Sequence, residues 1–166
     1  VTRALALLVA VACAGCGPGG DDAPAFPIEL YVSAGLVADI RGFQVSLVKS
    51  GSQLDCVTAQ RSCIKDQVDA ARFVVMKDPA GRDVRSRFFD INLVTGSPNT
   101  QDVSLTGLPL GKDFALLVEA VGRDTPPTLR GSACNYVKEL TAGSNAAVFA
   151  KIEVLTPPAS CDPTIP

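Results

Sequence analysis

Gln101-Asp102-Val103-Ser104-Leu105, Thr106-Gly107-Leu108-Pro109-Leu110-Gly111-Lys112-Asp113 and Phe114-Ala115-Leu116-Leu117-Val118-Glu119-Ala120-Val121 follow one another without a break. In the first piece Val103 and Leu105 alternate with Asp102 and Ser104, the period of a strand with one buried face. Two glycines and a proline then interrupt the pattern, as a corner requires. The third piece, Phe114 to Val121, reads as a long strand. The message is strand, corner, strand.

The same punctuation continues downstream. A turn at Asp124-Thr125-Pro126-Pro127 precedes a strand over 129–140, and Thr141-Ala142-Gly143-Ser144-Asn145 forms the next turn. In the closing strand Val148, Ala150, Ile152 and Val154 share one face, with Lys151 and Glu153 on the other. Upstream, 28–32 reads as a strand. Phe43, Val45 and Leu47 alternate with Gln44, Ser46 and Val48, which predicts a strand with one buried face. The pattern lapses over 51–71 into a polar, cysteine-bearing loop with one helical turn near 66–70. A continuous apolar strand is expected over 72–77, stopped by the turn Asp78-Pro79-Ala80-Gly81. Over 82–93 the alternation slips from Val84, Ser86 and Phe88 to Phe89, Ile91 and Leu93, which predicts a β-bulge or bend near Phe88-Phe89. About eight short strands with no long amphipathic helix imply an all-β chain, an antiparallel β-sandwich over 26–166.

The run 101–120, with Arg130-Gly131-Ser132-Ala133 and Ala142-Gly143-Ser144-Asn145 before a closing strand, resembles prealbumin-like domains, the transthyretin-like and carboxypeptidase-regulatory-like modules. The resemblance covers 101–155. It implies a prealbumin-like sandwich; an immunoglobulin-like sandwich is the alternative, although the chain has no Trp to mark such a core.

Composition narrows the chemistry. The 166 residues include 15 Lys+Arg against 17 Asp+Glu, six Cys, no His and no Trp. Without histidine there is no Ser-His-Asp or Cys-His nucleophile pair, no His-containing zinc site and no imidazole switch. A net charge of −2 supplies no basic field for nucleic acid.

At the N-terminus Arg3 precedes an apolar stretch over 4–12 and the small-residue sequence Cys13-Ala14-Gly15-Cys16. That order is a charged region, an apolar region and a cleavage site. The apolar run is shorter than the roughly 20 residues of a spanning helix. It resembles a bacterial lipoprotein signal, whose lipobox ends in a small residue and an acylated cysteine. The resemblance implies a signal peptide over 1–15 and a diacylglyceryl and N-acyl lipid at Cys16, with Cys13 as the alternative. A flexible tether follows over 16–25. It further implies a bilayer partner through the acyl anchor and, from Gly17 after that cysteine, outer-membrane sorting. Acylation at Cys16 leaves an even four cysteines for the domain, whereas Cys13 leaves five. Cleavage by ordinary signal peptidase is the competing reading, and gives a soluble periplasmic or secreted protein.

Cys56, Cys63, Cys134 and Cys161 are then disulfide candidates in an oxidising compartment. Four cysteines allow three pairings. The short gap from Cys56 to Cys63 favours a local bridge, leaving Cys134 to tie down the Pro-rich tail at Cys161.

Cys13-Ala14-Gly15-Cys16 also spells a C-x-x-C redox motif, but that chemistry needs a strand-to-helix setting and not the end of an export signal, and no other spacing spells a catalytic or metal motif. Asp66 with Asp69, or Asp78 with Asp83, are conceivable acid–base or calcium carboxylates, but all four lie where Asp serves turns. Arg85 and Arg87 read either as an anion-binding pair or as charges that protect an edge strand. Tyr31 and Tyr136 are the candidate sugar-stacking rings. The expectation is a noncatalytic, cofactor-free envelope module with an unknown envelope protein partner. It would engage that partner through loops at a sandwich end or an open strand edge. A cryptic hydrolase is the least favoured alternative.

Overall fold

The computed structural model describes residues 25–96 and 98–165. The expected signal segment 1–15, both candidate lipid-attachment cysteines and all of the expected tether except Ala25 lie outside the described residues. The fold is an all-β sandwich, with ten strands among the described residues: β1 (Phe26–Val32), β2 (Ile40–Lys49), β3 (Met76–Lys77), β4 (Asp83–Val84), β5 (Arg87–Asp90), β6 (Asn99–Leu105), β7 (Gly111–Gly122), β8 (Leu129–Leu140), β9 (Val148–Lys151) and β10 (Glu153–Ala159). One sheet has the order β6-β1-β9, the other β10-β8-β7-β2-β5, and β3-β4 forms a small separate hairpin. All pairings are antiparallel except that of β9 with β1, which is parallel.

The strand-corner-strand run joins the two sheets, because β6 belongs to one and β7 to the other. Gly107 sits at that corner with φ +68°, a left-handed conformation that favours glycine. The main core lies between the sheets. Phe26, Ile28, Leu30 and Val32 of β1 meet Phe43, Val45 and Leu47 of β2 together with Leu116 and Val118 of β7. Period-two alternation therefore places these side chains as expected in β1.

In β2 the expectation of a single buried face is corrected. Gln44, Ser46 and Val48 are also buried, because 51–75 folds back over the far side of the five-stranded sheet. This segment, hereafter the cap, is a chain of short helical turns at Gly51–Gln53, Cys56–Ala59, Ile64–Asp66 and Ala70–Arg72. A second core forms beneath it from Val48, Ala59, Ile64, Val68, Phe73, Ala115, Leu117 and Ile165.

Two further strand expectations are corrected. The apolar run 72–77 is a one-residue bridge from Phe73 to Val48 followed by β3, since its side chains divide between the two cores. The slip in 82–93 is a break between β4 and β5 rather than a bulge within one strand. Phe89 packs against the main core, whereas Phe88 points outward beneath the Arg41 guanidinium at 5.2 Å. The closing strand changes sheets: β9 pairs with β1, Ile152 donates its N–H to Tyr31 O at 2.9 Å, and β10 then pairs with β8. Val154 is consequently exposed instead of sharing a buried face.

Leu116, fully buried at the centre of β7, tests the main core. Leu116→Ala should lower the unfolding free energy by about 2–5 kcal/mol, the usual cost of such a cavity, read from urea denaturation.

Candidate functional site

The cap and the C-terminal tail meet over the outer face of the five-stranded sheet, where the chain concentrates its buried polar chemistry. All four cysteines of the fold are paired there, but not as expected. Cys56 bonds to Cys134 and Cys63 to Cys161, closing separations of 78 and 98 residues. A Cys56–Cys63 bridge is excluded because the helical turn at Cys56 packs on β8, which presents Cys134 to it. Cys63 instead faces the tail, its N–H donating to Cys161 Sγ at 3.0 Å. One bridge thus ties the cap to the sheet and the other ties the tail to the cap.

Beneath them lies Glu119, only 2% exposed. β7 carries it into the cap-facing side of the sheet, where its two oxygens accept from Ile64 N at 2.9 Å and Gln44 Nε2 at 3.0 Å. The Gln44 amide extends the network. Its Nε2 also donates to Pro163 O at 2.6 Å, and its Oε1 accepts from Ile165 N at 3.0 Å. One β2–β7 pair therefore anchors both cap and tail. Burial pushes the Glu119 carboxyl up from 4.5 to about 7, against the opposing pull of the Ile64 and Gln44 donors.

The remaining candidates are dispersed. Asp78 closes the β3–β4 turn by accepting from Ala80 N and Arg82 N, at 2.9 and 2.8 Å, and pairs with the Arg82 side chain. Those contacts hold its carboxyl below the ordinary range, led by the bond from Arg82 N. Asp83 pairs with Lys77 at 2.6 Å, and Asp69 accepts from Ala71 N at 2.8 Å. Asp66 is exposed beside the sulfurs of Cys63 and Cys161, a group of three whose two thiols are already joined to each other. Three of the four conceivable carboxylates, Asp69, Asp78 and Asp83, are thus engaged in turns or ion pairs.

Arg85 and Arg87 have separate settings. Arg87 donates to Lys77 O at 3.2 Å and lies 5.6 Å from the Phe89 ring, while Arg85 lines a cavity beside the cap. The two tyrosines are also kept apart. Tyr31 stands on the outer face of β1, its ring 6.0 Å from Phe149, whereas Tyr136 lies on β8 with Cys134 and Ser132 on the cap side. Sequence reasoning missed Phe149 because its neighbour on β1 comes from a parallel pairing across more than a hundred residues. It missed Glu119 and Gln44 because nothing local shows that both faces of their strands are covered.

The open edges are blunted. β10 carries Pro157 and Pro158, and β5 is short. β6 is covered by a bridge from Val94 and by Gln101, whose side chain holds Asn92 N and Asp90 O. On β9 the Phe149 carbonyl already accepts from Asn135 Nδ2 at 3.2 Å. These are the usual devices against strand addition. A groove of about 560 Å³ opens at one sandwich end between Lys49, Val75, Leu110 and Lys112. Comparison with protein-family models, curated proteins and solved structures finds no match to the chain.

Peptide mapping without reduction should recover Cys56 linked to Cys134 and Cys63 linked to Cys161; a Cys56–Cys63 peptide would refute the cap geometry. Glu119 makes a separate forecast. Its folded pKa lies above the unfolded value, so its contribution is intact below about pH 4.5 and is lost as pH rises through about 7. Stability should fall by on the order of 3 kcal/mol across that window, and Glu119→Gln should flatten the slope in urea titrations run at several pH values.

Proposed function

We propose that the chain is an exported, lipid-anchored envelope lipoprotein whose prealbumin-like sandwich serves as a noncatalytic interaction module. The observation that carries this reading is the pairing of all four fold cysteines in two long-range disulfides. Such bridges persist in oxidising compartments and are rare where thiols are kept reduced. With those four paired, Cys13 and Cys16 in the signal-like N-terminus remain, and Gly15-Cys16 has the lipobox end.

On this reading Ala25 is where the anchor's tether would join the fold. It bridges to Ser144, and its neighbour Phe26 pairs with Leu105. The tether would thus reach the sandwich end that also carries the corner 106–110 and the groove beside Leu110. From Cys16 to Ala25 the chain spans at most about 30 Å. On this reading that end stays close to the bilayer, and the opposite end, with the short helix Ala34–Val37 and the turn 123–128, faces a partner. Blunted edges favour loops over strand addition as the contact surface. Two acyl chains and more give stable attachment, where one is marginal.

Cys16→Ser should move the protein from the detergent phase to the aqueous phase and remove the acyl mass from its N-terminal peptide. Cys13→Ser should change neither. Unaltered partitioning of the Cys16→Ser protein would overturn the anchor, and a shift confined to Cys13→Ser would relocate it.

A further inference from the structure

A cavity of about 300 Å³ opens between the cap, the break between β4 and β5, and the C-terminal tail, lined by Lys65, Asp66, Ala70, Phe73, Arg85 and Ile165. We propose that it binds a small monocarboxylate with an apolar body, either a free acid or the carboxyl-terminal residue of a peptide. The volume stands at the lower end of the roughly 300–1,000 Å³ typical of ligand sites.

The lining divides by chemistry. Phe73 and Ile165, both buried members of the second core, give the cavity an apolar floor, with Ala70 beside them. Lys65 and Arg85 supply positive charge on the wall. The Lys65 ammonium is steadied by donating to Thr164 O at 3.0 Å. Arg85 makes no hydrogen bond or ion pair among the described residues, whereas Arg72, Arg87 and Arg123 each donate to a backbone carbonyl. Its backbone is nonetheless fixed on both sides. Val84 packs against the main core, and Ser86 Oγ reaches Gln44 Oε1 at 3.5 Å. A guanidinium so placed can fork onto a carboxylate. Asp66 on the same wall opposes a dianion such as phosphate and leaves the cavity suited to one negative charge.

The floor is also a built part of the fold. Ile165 is held there by its N–H bond to Gln44 Oε1, and the tail that carries it is fastened through Cys161 to Cys63. An occupant resting on Ile165 therefore binds the assembled cap and tail and not the unfolded chain, so it should raise the melting temperature.

The test is a titration of the full chain, disulfides intact, followed by amide NMR shifts and by calorimetry. The probes are 3-phenylpropionate, the peptide Gly-Gly-Phe, the amides of both, and inorganic phosphate. Either acid should shift the amides of Ala70, Phe73 and Ile165, and the tighter of the two names the source. Removing the charge from the ligand, or making Arg85→Gln, should weaken binding at least roughly tenfold, the worth of one charged hydrogen bond. Arg87→Gln should bind as the parent does. Absence of shifts with both acids, equal binding of the amides, tighter binding of phosphate, or unchanged affinity in a folded Arg85→Gln protein would each overturn the proposal.

Discussion

Strands β2 and β7 are buried on both faces, and the rest of the architecture answers that condition. Their nine paired positions, from Ile40↔Gly122 to Lys49↔Phe114, form the spine of the five-stranded sheet. One face is covered by the β6-β1-β9 sheet. The other face would expose Val48, Ala115 and Leu117 to water were it not for the cap and tail. Apolar area is worth about 25 cal/mol per Å² removed from water, but short helical turns cannot hold themselves in place for that gain alone. Covalent bonds supply the difference: Cys134 lies on the sheet, Cys161 on the tail, and the cap carries both of their partners.

Glu119 and Gln44 make this arrangement specific rather than merely greasy. A buried carboxylate is costly unless its oxygens are satisfied, and here the donors come from the cap and from β2. The amide of Gln44 in turn reads the tail through Pro163 O and Ile165 N. Cap, tail and sheet thus share one hydrogen-bonded junction directly beneath the two disulfides. The same junction underlies the cavity, since Ile165 forms part of both.

Much of the sheet framework was legible in local pattern. The corner between Leu105 and Gly111, the turns at 78–81, 124–127 and 141–145, and the inward residues of β1 all follow from glycine, proline and alternation. The failures share a cause. Alternation reports the burial of a strand only when one face is wet, so Gln44 and Ser46 looked like solvent-facing residues. Sequence proximity suggested Cys56 with Cys63, whereas the cap holds them toward different elements. The two arginines adjacent in pattern, Arg85 and Arg87, parted because the strand breaks between them.

The amino-acid sequence on its own determined the all-β class, the positions of the corners, the absence of histidine chemistry and the signal-like pattern ending at Cys16, because each is written in composition or within a few residues. Only tertiary structure decided which cysteines bond, that Glu119 is buried, and that Arg85 shares a cavity with Lys65. Those facts depend on which distant segments meet across the outer face of β2 and β7. No local period carries that information, since the partners lie about 20 to 120 residues apart along the chain.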